Sequence, residues 1–393
     1  MAAVTSRDPE LAAALLRAAA RIDLGAISSN VATIRDVVGP AEVMAVVKAE
    51  GYGHGLVPSA RAALAGGATW LGVAFLEEAL ALRAAGISGR ILCWLATPGE
   101  PLVEAVMADV DLSASAPWMI SEIAGASMTA DRVARVHLKV DTGLSRGGAV
   151  AADWPDLVAA ALTAQSQGHL TIVGLWSHLV HGDHPEHPTT ALQIAAFTDA
   201  VALAERAGVR AEVRHLANSG GLLCAPDTRF DLVRAGIATY GLSPAPDLHD
   251  SASLGLRPAM RLTARLALTK TVPANTGVSY GHRYATTGTT TLGLVPLGYA
   301  DGIPRTAANV VDVLVRGHSV SGRRPIAGTV CMDQFVVDLG AGDSFSAGDD
   351  VVLFGAGDDG EPTAQDWASA LGTISYEIVT RIGIRVPRVY EGG

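Results

Sequence analysis

The sequence predicts a protein of the α/β plus β class, with an N-terminal (β/α)8 barrel of the TIM type over residues 1–248 and a mostly β domain over residues 249–393. Three observations predict it. Eight short apolar runs recur between about residue 20 and residue 245, each followed by a polar turn and an alanine-rich stretch with helical spacing. Such alanine-rich stretches then all but vanish, and short or alternating runs punctuated by Gly and Pro replace them. Ser243-Pro244-Ala245-Pro246 stands where one pattern gives way to the other.

In chain order, Leu11–Ala20 is alanine-rich and predicts a short helix. The eight strand runs follow: Val43–Val47, Trp70–Ala74, Ile91–Leu95, Val110–Ala114, Val133–Val140, Thr171–Ser177, Glu212–Leu216 and Leu232–Ala238. Between them, segments such as Phe75–Ala85 and Thr189–Ala207 carry apolar residues at helical spacing. Eight strand–helix units favour a closed barrel. The alternative is a doubly wound open sheet, but a GxGxxG turn after a first strand is missing. In the second domain, strands are expected at Leu262–Leu268, Thr289–Leu297, Val310–Val315, Arg324–Ala327, Phe335–Asp338 and Asp350–Phe354, with one helical stretch at Thr363–Ala370.

Composition narrows the function. The 393 residues are 49% hydrophobic and 17% charged, enough for a large core. A net charge of −10 without a long basic run argues against nucleic acid or an anionic membrane as partner. Cys93, Cys224 and Cys331 are odd in number and far apart, which fits a reducing compartment. Arg7, Asp8, Glu10 and Arg17 break up the N-terminus, unlike a signal peptide, and no long uncharged apolar run suits a membrane span. A cytoplasmic protein is the expectation.

In a barrel, chemistry sits where the strands end. Lys48 ends the apolar run Met44–Val47 and a glycine-rich turn follows at once. A lysine ammonium there either snorkels to the surface or is used as a nucleophile toward a carbonyl. Lys139 and Asp141 end the fifth run, with Arg146 soon after. Ser177 and His178 end the sixth, Asn218-Ser219-Gly220-Gly221 follow the seventh, and Arg234 precedes Ala235-Gly236-Ile237 in the eighth. Each has a plain structural reading; Asp141, Asn218 and Ser219 suit ordinary caps. Together they gather cations and two glycine turns on one face, and glycine lets backbone N–H groups approach a phosphate. A lysine, a phosphate cradle and an arginine point to pyridoxal phosphate, which binds lysine covalently and needs a partner for its ring nitrogen.

Nine motifs then occur in one order: VVKAEGYGHG, KVDTGLSRGG, SHLVHGD, ANSGG, VRAGIATYG, VSYGHRY, PLGYADG, CMDQ and TISYE. In this order and from about Ile22 to Tyr390 the chain resembles the alanine racemase family. The resemblance implies a pyridoxal-phosphate-binding barrel, a C-terminal β domain, and a homodimer with shared active sites. It implies interconversion of L- and D-alanine, supplying D-alanine for cell-wall peptidoglycan. By the same resemblance Lys48 holds the cofactor, and Tyr52, Tyr376, Asn218, Ser219, Gly236 and Ile237 surround its phosphate. His178 flanks the ring and contacts Arg234, which faces the ring nitrogen. Arg146 approaches the cofactor's phenolic oxygen. Lys139 matches a position often carbamylated in the family. Tyr280, from the partner subunit, is the second base. Met332, Asp333 and Tyr299 lie near the substrate or its entrance, as does Asp183.

The residue types suit the reaction. A racemase takes a proton from one face of Cα and returns it to the other, so two bases are needed: Lys48 on one side and Tyr280 on the other. A guanidinium only donates, so Arg234 requires an unprotonated ring nitrogen and a weaker electron sink. This disfavours the reading as an amino-acid decarboxylase of the same fold. A broad-specificity amino-acid racemase and a non-catalytic cofactor carrier are further readings. Two departures stand out: Glu50-Gly51 replace the family's commoner Asn or Asp followed by Ala, and Thr329 replaces a common arginine. The histidines of His181–His187 suggest a metal, but Pro185 and Pro188 exclude the helix that would present ligands together, and no metal is expected.

Overall fold

The computed structural model describes residues 16–342 and 345–392. Contacts divide the chain into two compact units, one spanning Ile27–Arg257 and the other joining the residues up to Ala26 to those from Pro258 onward. The first strand, β1 (Ala18–Asp23), belongs to the second of these: it pairs antiparallel with residues 260–264 and parallel with residues 388–391. The expected helix over residues 11–20 therefore does not hold for Ala18–Ala20, and its first part lies outside the described residues. Alanine carries a helical propensity that non-local pairing overrides.

All eight runs of the N-terminal reading form strands: β2 (Glu42–Val46), β3 (Trp70–Val73), β4 (Arg90–Cys93), β5 (Asp111–Ala114), β6 (Ala134–Lys139), β7 (Leu170–Trp176), β8 (Val213–His215) and β9 (Leu232–Ala235). They make one parallel sheet in which each strand from β2 to β8 pairs with the next, and β9 pairs with β2. The ring closes between β8 and β9 through Asp231 N–H donating to the Arg214 carbonyl at 3.1 Å and Arg234 N–H to the Ala217 carbonyl at 3.0 Å. Because a barrel strand is covered on both faces, β3 and β5 are buried at every position, which is why their sequence shows little alternation. Met44, Trp70, Leu92, Val173, Val213 and Leu232 form one apolar cluster.

The helices between the strands are set by caps. Pro188–Ala207 begins with a proline in its first turn, where no N–H is needed, and ends at Gly208 with φ 114°. Its buried stripe is Thr190, Gln193, Phe197, Val201 and Ala204, the three-and-four spacing of one helix face. In Leu76–Ala84, Glu78 turns back to accept from the N–H groups of Ala74 (2.9 Å) and Phe75 (3.2 Å).

The second unit is mostly β. Its strands are β10 (Met260–Arg265), β11 (Leu268–Val272), β12 (Gly277–Val278), β13 (Tyr284–Ala285), β14 (Thr290–Val295), β15 (Asp312–Arg316), β16 (Ser321–Pro325), β17 (Phe335–Gly340), β18 (Asp350–Phe354) and β19 (Arg388–Glu391). A six-stranded sheet has the order β16-β15-β18-β10-β1-β19, a second has β11-β14-β17, and β12 and β13 form a ribbon. The run read as one strand over 262–268 is in fact split between two sheets, at Leu266-Ala267. Helix Ala364–Leu371 is capped by Thr363, whose hydroxyl accepts from Asp366 N–H at 3.0 Å. No helix among the described residues is long and apolar enough to cross a membrane.

Candidate active site

Within the barrel, the expected residues Lys48, Tyr52, Lys139, Arg146, His178, Asn218, Ser219, Arg234, Gly236 and Ile237 all lie at or just beyond the carboxyl ends of strands. Lys48 follows β2 after one residue, Val47. The glycine-rich stretch after it is a single left-handed turn: φ is 53° at Ala49, 54° at Glu50, 59° at Gly51 and 53° at Tyr52. L-residues avoid this region, at a cost of about 1–2 kcal/mol each, so neighbours must hold the turn. Gly51 N–H donates to the Val47 carbonyl (2.8 Å), Gly53 N–H to Ala49 (3.0 Å) and Gly55 N–H to Glu50 (2.7 Å). Glu78, from the helix after β3, accepts from Ala49 N–H at 2.6 Å.

The turn brings Tyr52 inward. Its ring stacks on Tyr240 with centroids 5.0 Å apart, and the Lys48 ammonium lies 5.9 Å from its centroid. Burial pushes the Tyr52 phenol well above its usual pKa, so it is a neutral O–H. A Cβ added to Gly236 would sit 2.6 Å from that oxygen, so only glycine brings the backbone this close. Ser219 Oγ accepts from Gly236 N–H at 2.8 Å and lies 3.4 Å from Ala238 N. Asn218 caps the short helix Ser219–Cys224 by accepting from Gly221 N–H at 3.0 Å. Hydroxyls and backbone N–H groups thus converge at one corner of the mouth, a place that can hold an anion.

Arg234 is buried, with 4% of its surface exposed. Its Nη1 donates to His215 Nδ1 and to the His215 carbonyl, both at 3.0 Å. Its Nη2 donates to the carbonyls of Ser177 (2.8 Å) and Leu216 (3.0 Å) and to His178 Nδ1 (3.2 Å). Nε–H is left without a protein acceptor among the described residues. Burial lowers the guanidinium to about 9, so it remains a cation at neutral pH. Burial and then Arg234 push His178 and His215 well below the usual histidine range. Both rings are neutral and accept from Arg234 through Nδ1.

The lysines share this field. Lys139, at the end of β6, lies 4.3 Å from the Trp176 ring; burial, Arg234 and Arg146 bring it down to about 8. Burial and Arg146 also lower Lys48, with Glu78 opposing. Asp141 is not a helix cap: its carboxylate accepts from Gly143 N–H (2.9 Å) and Ser145 N–H (3.1 Å), closing the loop that carries Arg146.

In the second unit, Tyr280, Tyr299, Met332 and Asp333 line an open pocket of about 280 Å³ together with Arg305 and Thr329. Tyr280 is 75% exposed on the turn Tyr280–His282. Tyr299 N–H donates to the Cys331 carbonyl and Ala300 N–H to the Met332 carbonyl, each at 3.0 Å. Asp333 pairs with Arg385 at 2.8 Å, and Arg385 also reaches the buried Asp301 at 3.1 Å. Tyr376 is half-buried on the helix Ser375–Thr380 and outside this pocket's lining.

Comparison with known proteins places this geometry. The alanine racemase N-terminal domain model matches residues 22–244, and the C-terminal domain model matches residues 259–390. The chain belongs to the alanine racemase family. The alanine racemase of Frankia casuarinae is 59% identical over 375 residues, covering 95% of this chain and 96% of that one. That of Thermobifida fusca is 59% identical over 375 residues, with coverage of 95% and 98%. The solved alanine racemase of Streptomyces coelicolor A3(2) superposes with a TM-score of 0.94 at 57% identity, covering 97% of this chain and all of that one (100%). Residues that sequence reasoning missed are the half-exposed Glu78 and the buried Trp176, His215, His137 and Asp111. Their signal was a polar residue inside or beside an apolar run, which by itself reads as a strand end.

Proposed function

We propose that this alanine racemase family member interconverts L- and D-alanine with pyridoxal phosphate held at the mouth of the barrel. The residues present fit that group. Lys48 loses part of its affinity for a proton to burial and Arg146, as an amine that must attack an aldehyde requires. The corner of Tyr52, Ser219 and Gly236 suits a phosphate. Arg234 offers one unspent Nε–H to a ring nitrogen. Bound there, the cofactor supplies an electron sink that makes the alanine Cα–H acidic.

The chain's own groups then handle the proton. Lys48, once freed by substrate, removes or returns it on one face of Cα. Tyr280 of a second copy serves the other face; its support is an exposed tyrosine on a braced turn lining an open pocket. Asp333, held by Arg385, and Met332 border the substrate side, and Tyr299 the entrance. Lys139 takes up carbon dioxide at its neutral Nζ, losing a proton, so that the carbamate anion answers Arg146. In this reading the product feeds peptidoglycan assembly in the cytoplasm.

The observation that carries the racemase reading over a decarboxylase is Arg234: a buried, donor-only cation at the ring position, where a carboxylate would make the stronger sink. The deciding experiment incubates purified, cofactor-reconstituted protein with L-alanine, D-alanine, L-serine and L-lysine. Racemisation of alanine above the other two, without carbon dioxide release, is expected. Release of carbon dioxide from any of them removes the reading.

A further inference from the structure

Arg234 is the visible end of a buried chain of hydrogen bonds that runs through the barrel. His215 Nε2 lies 2.9 Å from His137 Nδ1, and His137 Nε2 lies 3.3 Å from Asp111 Oδ2. Asp111 opens β5 at the opposite, amino-terminal end of the strands, where Arg135 (2.6 Å) and Arg90 (2.9 Å) grip its carboxylate. His137, His215 and Asp111 have no exposed surface. The fold makes room for them: the β6–β7 register shifts at His137, which sits opposite Gly174, and a Cβ on Gly174 would collide with the His137 ring. Trp176 stacks flat on His215 (5.4 Å, 7°), and Trp70 meets His137 edge-on (5.4 Å, 87°).

Donor and acceptor chemistry fixes every bond in this chain. A guanidinium only donates, so His215 Nδ1 accepts and its proton sits on Nε2. That proton points at His137 Nδ1, which must accept, leaving the His137 proton on Nε2, aimed at Asp111. A carboxylate only accepts, so the chain closes consistently from its other end as well. Had Asp111 been a donor, both rings would reverse and His215 would turn an N–H toward Arg234. The chain is not a proton wire at neutral pH, because the guanidinium at its end stays protonated there.

We propose that His137 and Asp111 are positioning residues for Arg234: they hold the His215 imidazole as an acceptor toward the guanidinium and so aim its remaining N–H at the ligand of the barrel mouth. The role in reaction fidelity rests on the pyridoxal-phosphate reading; the tautomers do not. The chain also keeps the balancing carboxylate two imidazoles away, so Arg234 stays a full cation facing the ligand.

The test reads tautomers directly, by two-bond ¹⁵N–¹H correlation on ¹⁵N-histidine-labelled protein, with and without pyridoxal phosphate. Both His215 and His137 should carry their proton on Nε2 in either state. His137→Gln removes the acceptor at the Nδ1 position. Arg234 still donates to His215 Nδ1, so the His215 proton stays on Nε2 but loses its acceptor: that N–H should exchange faster with solvent, and pyruvate formed per racemisation should rise about five- to tenfold, the worth of one buried hydrogen bond. His137→Asn, whose Oδ1 stands where Nδ1 stood, should return both readouts to within about twofold of the original. If His137→Gln fails to fold, Asp111→Asn is read in the same spectra and should speed solvent exchange of the His137 Nε2–H, whose carboxylate acceptor is gone. A proton on His215 Nδ1 in the unmodified protein overturns the proposal. So does a folded His137→Gln or Asp111→Asn in which both the solvent exchange of the ring N–H left without its acceptor and the pyruvate formed per racemisation are unchanged. Absence of racemisation with the expected tautomers would instead overturn the proposed function and leave the chain standing.

Discussion

Thr329 Oγ1 donates to the Tyr280 carbonyl at 2.8 Å, and Ser279 Oγ donates to the Thr329 carbonyl at 2.7 Å. Thr329 therefore pins the turn carrying the proposed second base. Thr329 is itself buried, with 5% of its surface exposed. Thr329→Val should lower kcat/KM about threefold to tenfold and cost about 1 kcal/mol of stability in urea melts. Unchanged kinetics would show that the turn is held without this bond.

Gly236 leaves no room for a side chain beside Tyr52. Gly236→Ala should weaken pyridoxal phosphate binding by about tenfold, the effect of modest overpacking in a fitted site. Titration of the cofactor-free protein, followed by fluorescence, measures it. A wild-type affinity would place the phosphate elsewhere.

The lowered pKa of Lys139 has a consequence for stability. Its folded value is about 8 against 10.5 for the free side chain. Between these two values the unfolded chain holds more protons than the folded one, so stability from this group rises with pH across that window. Below pH 8 both states are protonated and the penalty is complete; above 10.5 it is gone. In the absence of carbon dioxide, Lys139→Met should therefore be more stable than the parent at pH 7. The difference should close as pH is raised through 8 toward 10.5. A gap that does not depend on pH would assign the effect to packing.

If each site takes Lys48 from one copy and Tyr280 from another, inactive variants can rescue each other. Equal mixing of Lys48→Ala and Tyr280→Phe with random exchange makes half the dimers mixed, each with one intact site. Activity should recover to about a quarter of wild type. Mixed dimers verified by mass spectrometry yet inactive would mean that each copy builds its own site.

The barrel was legible because each strand and its helix are neighbours in sequence and carry opposite periodicities. Phe75–Ala85 and Thr189–Ala207 differ from the observed helices by only a residue at either end. β1 was hidden because Ala18–Asp23 earns its strand conformation from partners at residues 260–264 and 388–391. Lys48 and Arg234 drew attention as charges in apolar runs, and their roles came from motif resemblance. The left-handed turn after Lys48 was not visible, since three of its four residues with positive φ are not glycine. It depends on Glu78, which comes from a separate helix. His215, His137 and Asp111 looked like unrelated polar residues; only closing the barrel brings them into line.

The position of β1 imposes an order on synthesis. It precedes every barrel strand in the sequence, yet it lies between β10 and β19, which come after the whole barrel. The barrel's last strand is complete at Ala235, while translation still has more than a hundred residues to run. One unit can thus form as the chain emerges, since all its strand pairs except the closing pair of β2 with β9 join neighbours in sequence. The other must keep its alanine-rich strand waiting, unpaired until β10 arrives and with one edge open until β19 does. A ribosome stalled late would release a finished barrel tethered to an open sheet edge, the surface on which chains join one another.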